Sequence, residues 1–585
     1  MKLILKYIKP YKSFLILTLI IKMLGTLIEL IIPYILSHIV DVVIPRVTEL
    51  EADESAGRIL FDIIFWGVMM VLCALAACVF NVVANRRAAK TARDSTEHIR
   101  HDLFEASLFL SCKNADKLTI PSLESRLTSD TYNLHHFLGM MQRMGVRAPL
   151  LLFGGVVITL IIDPYLALVM IGILPFLAVF VYFYSKKTVP LYSEVQKNVD
   201  GMVRVVREDS QGIRVIKALS KKEYEKKRFD QANRKLVKIE RKVGYVTALS
   251  NPVMQVFLNL GLVGVVLLGA YRVNGGLTQP GKIIAFMQYL TLISTSMMVL
   301  SRIFMAYSKG VASANRIEEV INTVNDIELC SKEDYPEEDS RDHICFDQVS
   351  FGYHSEKRIL SDVSFKLKRG QTLGIIGATG SGKSTILGLL MRFYDVQEGA
   401  VRINGEDVRT IESDRLHSMF GIALQNDFVF NGSVRDNIDF GRRLPFEDIK
   451  KAAERAQAIE FIESFEDGFD HEITSKGTNI SGGQKQRLLI SRALAGKPEI
   501  LILDDSSSAL DYKTDLNLRR AIAEQDDGTT VIIVAQRVSS VMNSDLIIVL
   551  DEGRINGIGT HAELLEECEI YKEISDSQMG GAFLE

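Results

Sequence analysis

Six apolar stretches alternate with polar segments along the first half of the chain. They cover residues 13–36, 63–80, 148–162, 165–184, 256–271 and 283–303. The second of them has no charged residue over 18 positions, which is long enough for a helix to cross the apolar layer of a bilayer. Only Asp163-Pro164 separates the third from the fourth, and a Gly/Pro turn precedes the sixth, so each pair is predicted to form a hairpin. Residues 1–310 are therefore predicted to form a membrane domain of six long helices.

Lysine and arginine residues are concentrated on one side of these predicted helices. The N-terminus carries Lys2, Lys6, Lys9 and Lys12, and the segments after the second and fourth apolar stretches are also basic, whereas the segment between the first two is acidic. Basic residues favour the cytoplasmic side of a membrane. Both termini are expected to be cytoplasmic, in a multi-pass protein of the cell membrane. The start, MKLILKYIKPYK, has too short an apolar core for a signal peptide and fits an interfacial amphipathic helix better.

The two inner connections are long, charged and helical in pattern, with roughly 60 residues each. The simplest expectation is that the spanning helices continue beyond the membrane into these segments. Short turns at residues 119–129 and 210–218 are candidates for docking on a cytoplasmic domain. The alternative is that these segments are solvated amphipathic helices with no docking role.

Two charged residues, Lys22 and Glu29, interrupt the first apolar stretch. Their spacing of seven places them on the same face of a helix, two turns apart. Charges at membrane depth are costly and usually face a bundle interior or a wet cavity. They are therefore candidates for a substrate cavity, or alternatively for a structural contact between helices.

Composition agrees with a membrane part and a soluble part in one chain of 585 residues. Hydrophobic residues make up 47% and charged residues 24%, and the mean hydropathy is +0.14. The net charge of −4 gives no support for a nucleic-acid partner. The six cysteines are scattered without a paired spacing, which indicates free thiols and neither a disulfide framework nor a metal site.

A polar linker, residues 311–342, precedes a segment with the composition of a soluble α/β domain, residues 343–585. Here the sequence QTLGIIGATGSGKSTILGLL places an apolar strand before a glycine-rich loop and a helix after it. Glycines allow backbone N–H groups to surround phosphates, the lysine contacts the β- and γ-phosphates, and the serine ligates Mg²⁺. The candidate ATP-binding residues of this loop are Gly377, Ala378, Thr379, Gly380, Ser381, Gly382, Lys383, Ser384 and Thr385. The fold class predicted is thus an α-helical membrane domain fused to an α/β P-loop NTPase.

A second candidate for the chemistry is the acid pair in LILDDSSSALD, residues 501–511. Asp504 ends a buried strand and is predicted to hold Mg²⁺ through a water molecule. Asp505 occupies the position where a general base would polarise the attacking water.

Together with the P-loop, four further motifs resemble those of ATP-binding cassette (ABC) proteins. ISGGQKQR, residues 480–487, resembles the family's signature sequence. Tyr353 resembles the aromatic residue that stacks on adenine, Gln425 resembles the Q-loop residue that also contacts Mg²⁺, and Asp511 resembles the D-loop acid. Six predicted spans ahead of one cassette resemble the half-transporter layout of ABC exporters. The resemblance covers essentially the whole chain.

This resemblance implies a dimer in which two cassettes enclose two ATP molecules. Each ATP would lie between the P-loop of one chain and the signature of the other. The residues expected to contact the partner's ATP are Ile480, Ser481, Gly482, Gly483 and Gln484.

Two residues depart from the family pattern, and both belong to one site. Asp505 stands where active cassettes usually have Glu, and Gln536 stands in the position of the switch His. A carboxylate set back by about 1.5 Å holds the lytic water poorly. Gln can hydrogen-bond a γ-phosphate, but at neutral pH it cannot take up a proton or carry positive charge. An intact signature beside a weakened site resembles the degenerate subunit of heterodimeric ABC exporters. A homodimer that hydrolyses ATP slowly is the alternative.

The expected function is ATP-driven export of a small, lipophilic or drug-like substrate by a heterodimer of half-transporters. Peptide or lipid export would use the same motifs. Two other classes of function are alternatives. One is an ABC protein that uses its cassette as a switch without transport, and six fused spans argue against it. The other is a membrane-anchored ATPase that acts as a regulator.

Overall fold

The computed structural model describes residues 2–45, 56–324, 326–333, 335, 337, 342–353, 358–425, 428–506, 509–523 and 528–579. Its chain divides into two compact units. The first, the membrane unit, comprises Met1–Phe109 and Thr119–Thr323, and the second, the cassette unit, comprises Leu110–Leu118 and Val324–Glu585. The predicted linker, residues 311–342, lies partly outside the described residues.

The first half of the chain is helical. Its helices are α1 (Lys2–Ile8), α2 (Lys12–His38), α3 (Ala56–Leu108), α4 (Cys112–Leu118), α5 (Ile120–Ser125), α6 (Thr131–Met144), α7 (Arg147–Ile162), α8 (Pro164–Gln211), α9 (Ile213–Ala218), α10 (Lys222–Ala248), α11 (Ser250–Asn274) and α12 (Pro280–Ile321). A π-helical turn, Ile39–Val43, extends α2, and a second, Arg126–Asp130, joins α5 to α6.

Six helical segments of the described chain are long and apolar enough to cross a membrane, which confirms the predicted number. They are longer than the apolar stretches themselves. Helix α3 has 53 residues, or about 80 Å at 1.5 Å per residue, far more than a bilayer's apolar thickness of about 30 Å. Helix α12 likewise continues to Ile321, beyond the apolar pattern, since its charged end keeps a helical periodicity.

The turn between α7 and α8 shows how the sequence ends one spanning helix and starts the next. The Asp163 carboxylate accepts hydrogen bonds from the backbone N–H groups of Tyr165 and Leu166, at 3.0 and 3.2 Å, and so caps α8. Arg272 at the end of α11 lies 3.5 Å from the same carboxylate. This buried ion pair joins two helical hairpins at one end of the bundle.

The cassette unit combines two main sheets. Its strands are β1 (Asp342–Phe351), β2 (Leu360–Lys368), β3 (Thr372–Gly377), β4 (Glu398–Ile403), β5 (Glu406–Asp407), β6 (Phe420–Ala423), β7 (Gly432–Ser433), β8 (Glu472–Ile473), β9 (Ile500–Asp504), β10 (Thr530–Val534), β11 (Leu546–Asp551) and β12 (Arg554–Gly559). One sheet is antiparallel, in the order β2-β1-β4-β5, and the other has the order β12-β11-β3-β10-β9-β6.

Helices cover the second sheet. They are α13 (Lys383–Leu390), α14 (Ser413–Ser418), α15 (Val434–Asp439), α16 (Phe446–Arg455), α17 (Ile459–Glu463), α18 (Gly482–Ala495), α19 (Tyr512–Ala523), α20 (Val538–Val541), α21 (His561–Glu567) and α22 (Glu569–Met579). Strands β6, β9, β10, β3 and β11 are parallel and almost fully buried. Their carboxyl ends therefore meet at one edge of the sheet, where Gly377 and Asp504 lie. This agrees with the α/β cassette predicted from the sequence.

Candidate nucleotide-binding site

The loop between β3 and α13 requires glycine at positions where the backbone is tightly packed. A Cβ atom on Gly377 would lie 2.1 Å from the carbonyl oxygen of Leu550. Gly382 has φ of +105°, and a Cβ there would lie 2.6 Å from Leu360 Cδ2. Because neither position accepts a side chain, the loop keeps its backbone close to any bound group. The buried hydroxyl of Ser381 has no hydrogen-bond partner among the described residues, which fits a loop that receives phosphate oxygens.

Lys383 lies over this loop. Its ammonium group donates hydrogen bonds to the carbonyl oxygens of Gly377 and Ala378, both at 2.8 Å. Burial lowers the pKa of Lys383, while the charges of Asp504 and Asp505 oppose that change. A phosphate anion at this position would also favour the charged ammonium, so the residue suits the role predicted for it.

The residues predicted to hold Mg²⁺ lie at the adjacent strand end. Ser384 Oγ is 3.5 Å from Asp504 Oδ2. Burial raises the pKa of Asp504, the neighbouring Asp505 raises it further, and Ser384 and Lys383 oppose these effects. Two adjacent carboxylates at a buried edge are stabilised by a cation, and hydroxyl and carboxylate oxygens are ligands that Mg²⁺ prefers. The donor set therefore fits the metal.

Asp505 contacts the residue predicted to form the Q-loop. Gln425 Nε2 donates to Asp505 Oδ2 at 2.9 Å, which leaves the amide oxygen of Gln425 available for a cation. Asp505 has φ of +47°, a left-handed conformation that Asp adopts more readily than most residues. Its N–H donates to the carbonyl of Val534 at 2.8 Å, which fixes this backbone on β10.

Gln536 follows β10 by two residues and is exposed. Its carbonyl oxygen accepts a hydrogen bond of 2.8 Å from Gln578 on α22. Val534 pairs with Asp504 in the sheet, so Gln536 lies at the same edge as the acid pair.

Tyr353 belongs to a small aromatic cluster beside the P-loop. Its ring makes edge contacts with Phe351 and Tyr394, each with centroids 5.1 Å apart, and its hydroxyl lies 3.2 Å from Thr385 Oγ1. About 43% of Tyr353 is exposed, which leaves ring surface for a stacked base.

The short helix α4, which lies between α3 and α5 in the chain, belongs to the cassette unit. Tyr394 donates a hydrogen bond of 2.8 Å to Asp116 on α4, and Ser111 donates to Asp326. Burial raises the pKa of Tyr394, and Asp116 raises it further, so the phenol stays a donor at physiological pH. An aromatic contact and a hydrogen bond thus connect Tyr353 to α4.

Tyr394→Phe is expected to increase amide hydrogen exchange in α4 by about tenfold, because a hydrogen bond to a carboxylate is lost. Exchange monitored by mass spectrometry over residues 112–118 measures this. Tyr353→Phe is the matched control, since its hydroxyl contacts Thr385 and not α4. Unchanged exchange in the Tyr394 variant would show that this contact does not hold α4.

The predicted signature residues lie at the start of α18. Ser481 caps the helix by accepting from the N–H of Gln484 at 3.3 Å, and Gln484 Oε1 accepts from the N–H of Ser481 at 2.8 Å. A Cβ on Gly483 would lie 3.1 Å from the carbonyl oxygen of Ala509. Ile480 is partly buried against the core cluster below α18. The capping box holds this turn in a fixed conformation. Because the two glycines have no side chains, a bound group can approach the backbone of the turn closely.

Asp511, the predicted D-loop acid, directly precedes α19. It accepts from Thr514, at 3.0 Å from the backbone N–H and 2.7 Å from the hydroxyl, and these hydrogen bonds lower the pKa of Asp511.

The structure thus brings the P-loop, Asp504, Asp505, Gln425 and Tyr353 together. The signature residues contact Ala509 instead. Sequence reasoning did not single out Tyr394 or Asp116, whose contact joins positions 278 residues apart in the chain.

Comparisons with known proteins cover both halves of the chain. Residues 15–297 match the family model of the ABC transporter transmembrane region, and residues 360–508 match that of the ABC transporter. An uncharacterized ABC transporter ATP-binding protein of Bacillus subtilis is 31% identical over 579 residues, which cover 98% of each chain. One from Mycobacterium tuberculosis is 30% identical over 580 residues, covering 98% of this chain and 97% of the relative.

A solved structure of a bacterial Atm1-family ABC exporter with ATP bound has the same fold, with a TM-score of 0.80 and 23% identity. The similarity covers 96% of this chain and 98% of that one. With two family models matched in order and relatives aligned over nearly their full length, the chain belongs to the ABC transporter family, as a half-transporter with six apolar helical segments followed by one ATP-binding cassette.

Proposed function

We propose that the chain is one half of a heterodimeric ABC exporter, and that its own P-loop binds ATP but hydrolyses it slowly. The observation that carries the proposal is the state of Asp505. This short carboxylate is held by Gln425, on a left-handed backbone fixed by β10, and the nearby switch position is Gln536.

The residues that this chain would contribute to binding its own ATP are all present. Backbone N–H groups of the loop and Lys383 suit the phosphates, and Tyr353 offers a ring face for adenine. Ser384, Asp504 through water and the Gln425 amide oxygen would hold Mg²⁺, which neutralises phosphate charge when bound. None of these roles needs Asp505 to accept a proton.

The hydrolytic part is weak for two physical reasons. The Asp505 carboxylate ends one methylene short of a Glu carboxylate, and a misplacement of about 1 Å can cost about 100-fold in rate. Gln536 donates a hydrogen bond through its amide, but it cannot carry positive charge toward a developing phosphate charge.

The signature turn lacks such defects. The exposed residues Ser481 and Gly482 offer a hydroxyl and a backbone N–H group at a turn that the capping box holds in place. These are the donors that a phosphate needs at close range. We infer that they serve an ATP held by the partner subunit, where hydrolysis drives the cycle.

Transport would follow from alternating access. ATP binding closes the cassettes, and α4, which is inserted between α3 and α5 in the chain, passes the movement to the membrane unit. The basic inner segments favour cytoplasmic termini and cassette in a cell membrane. A small lipophilic or drug-like substrate is proposed.

Asp505→Ala is expected to lower the ATPase rate of the assembled pair by less than about threefold, because this acid contributes little to turnover. Removal of the partner's equivalent acid should lower it by about 100-fold or more. Both rates are measured on purified pairs in liposomes.

Comparable losses in the two variants would contradict the degenerate-site proposal. Brisk turnover by this chain purified alone would favour a homodimer instead. ATP binding to the Asp505 variant, measured with a fluorescent nucleotide, controls for damage to the P-loop.

A further inference from the structure

Polar residues meet between α2, α3 and the α6–α7 junction, within the membrane unit. Lys22 is 2% exposed and donates to Asn81 Oδ1 at 2.7 Å and Asn85 Oδ1 at 3.0 Å. Glu29, two turns further along α2, pairs with Arg147 at 2.7 Å. The two charges of α2 therefore do not pair with each other, and each is bound to a different helix.

Arg143 is the third cation of this group. Its Nε donates to the backbone carbonyl of Gly139 at 3.0 Å, and it has no acidic partner among the described residues. Arg143, Arg147 and Glu29 all lie near enough for their charges to act on Lys22. We call Lys22, Arg143, Arg147 and Glu29 the basic cluster.

The depth of the basic cluster follows from helix lengths. Arg147 begins α7, whose 16 residues place it about 24 Å from the turn at Asp163. That is within the apolar thickness of about 30 Å. Helices α6 and α12 run antiparallel, and Phe137 of α6 contacts Tyr307 of α12. Arg143 lies six residues after Phe137 and Arg302 lies five residues before Tyr307, so the two arginines are at about the same height along the bundle. Arg302 is exposed, as expected for a charged residue near a membrane surface. The cluster thus lies near the boundary opposite the Asp163 turn.

Charge in the basic cluster is unbalanced. Three cations face one carboxylate, and residues 131–162, 164–187 and 250–274 contain no further Asp or Glu. A structural ion pair would need only Glu29 and Arg147. Lys22 and Arg143 add positive charge beyond that pair, and Lys22 is buried in the bundle, where an unneutralised charge is costly.

The basic cluster also retains capacity for a ligand. The buried atoms Glu29 Oε2 and Arg147 Nε have no hydrogen-bond partner among the described residues. The Arg147 side chain is 34% exposed and that of Glu29 is 20% exposed. The Arg147 guanidinium is thus partly accessible, whereas Lys22 is buried against Asn81 and Asn85.

We propose that the basic cluster binds the anionic group, a carboxylate, sulfonate or phosphate, of an amphiphilic substrate whose apolar part lies among the membrane helices. This inference rests on the proposed exporter function and narrows its substrate to anionic amphiphiles. Arg147 and Arg143 would contact the anion, and the buried Lys22 would add positive potential. Guanidinium groups are well suited to such anions because they donate two parallel hydrogen bonds.

Equilibrium binding to the transporter in lipid nanodiscs tests the proposal without requiring ATP turnover. The probes are a dansyl-labelled alkyl sulfonate and the dansyl-labelled alkyl trimethylammonium of the same chain length. The sulfonate should bind at least about tenfold more tightly, as expected for a charge-assisted contact. Equal affinity, or tighter binding of the cation, would overturn the proposal.

Variants with opposite expected effects exclude misfolding as an explanation. Lys22→Gln and Arg143→Gln should each raise the Kd of the sulfonate by about tenfold. Glu29→Gln frees Arg147 and should lower that Kd, a gain that a misfolded protein would not show. Arg241→Gln removes a charge from the exposed face of α10 and should leave the Kd unchanged. Unaltered binding in the three cluster variants would refute the assignment.

Two further arms separate the sources of the anion and the underlying function. If phosphatidylglycerol in the nanodisc competes with the sulfonate where phosphatidylcholine does not, a lipid head group supplies the anion; without competition, a free amphiphile does. Both results support an anion site. ATP-dependent movement of the sulfonate into inside-out vesicles tests export separately. Selective binding without movement contradicts export alone, and movement of both probes at equal rates contradicts the anion site alone.

Discussion

Gly483→Asp in this chain is expected to lower the ATPase rate of the assembled pair by about 100-fold, while its own P-loop still binds ATP. Removal of one donor that stabilises developing charge costs about 100- to 1000-fold in other enzymes. Here the substitution would add a negatively charged carboxylate to the turn whose donors are proposed to contact the γ-phosphate of the partner's ATP, and the two negative charges would repel each other. A Cβ at this position would lie 3.1 Å from the carbonyl oxygen of Ala509, so the substitution requires only a small shift of that carbonyl.

The equivalent substitution in the partner subunit's signature is the matched control. It would face the P-loop of this chain, which is proposed to turn over slowly, and should change the rate by less than about threefold. Binding of a fluorescent ATP analogue verifies that the cassettes remain folded. Equal losses from the two substitutions would mean that both sites hydrolyse ATP, against the proposed asymmetry.

The sequence was sufficient for the membrane helices because length and apolarity alone define a span. It was not sufficient for the charged residues inside them. A spacing of seven put Lys22 and Glu29 on one face of α2, and the contacts of both to other helices, with Asn81 and Arg147, depend on tertiary packing that no local pattern encodes. Arg143 and Arg147 stood beside an apolar stretch and carried no motif.

The P-loop and strand β9 could also be predicted from the sequence, because their residues act through local backbone geometry. The contacts around Asp505 could not be predicted in this way. Its contact with Gln425 joins residues 80 positions apart, and its left-handed φ of +47° depends on a hydrogen bond to β10. The roles assigned to Asp505, Gln536 and the signature remain predictions that the experiments must decide.

The double variant Asp505→Glu with Gln536→His is expected to raise the ATPase rate of this chain, purified alone in liposomes, by at least about tenfold. In a dimer of two copies, each site would combine this P-loop with an intact ISGGQ turn. The longer acid advances the carboxylate by about 1.5 Å, and histidine supplies a donor that can also carry charge. Dimer formation in the presence of ATP is measured in parallel.

A single variant and a P-loop variant test whether the increase in ATPase rate comes from positions 505 and 536 of this chain's own site. Asp505→Glu alone should give a smaller gain, because Glu is less readily accommodated at φ of +47° and the switch remains Gln. Adding Lys383→Ala to the double variant should abolish the gain, since the activity would then require this chain's own phosphate contacts. If the double variant dimerises and binds ATP yet hydrolyses it no faster than the parent chain, positions 505 and 536 do not limit this site. The rate of hydrolysis would then be limited by how the two cassettes fit together in the dimer.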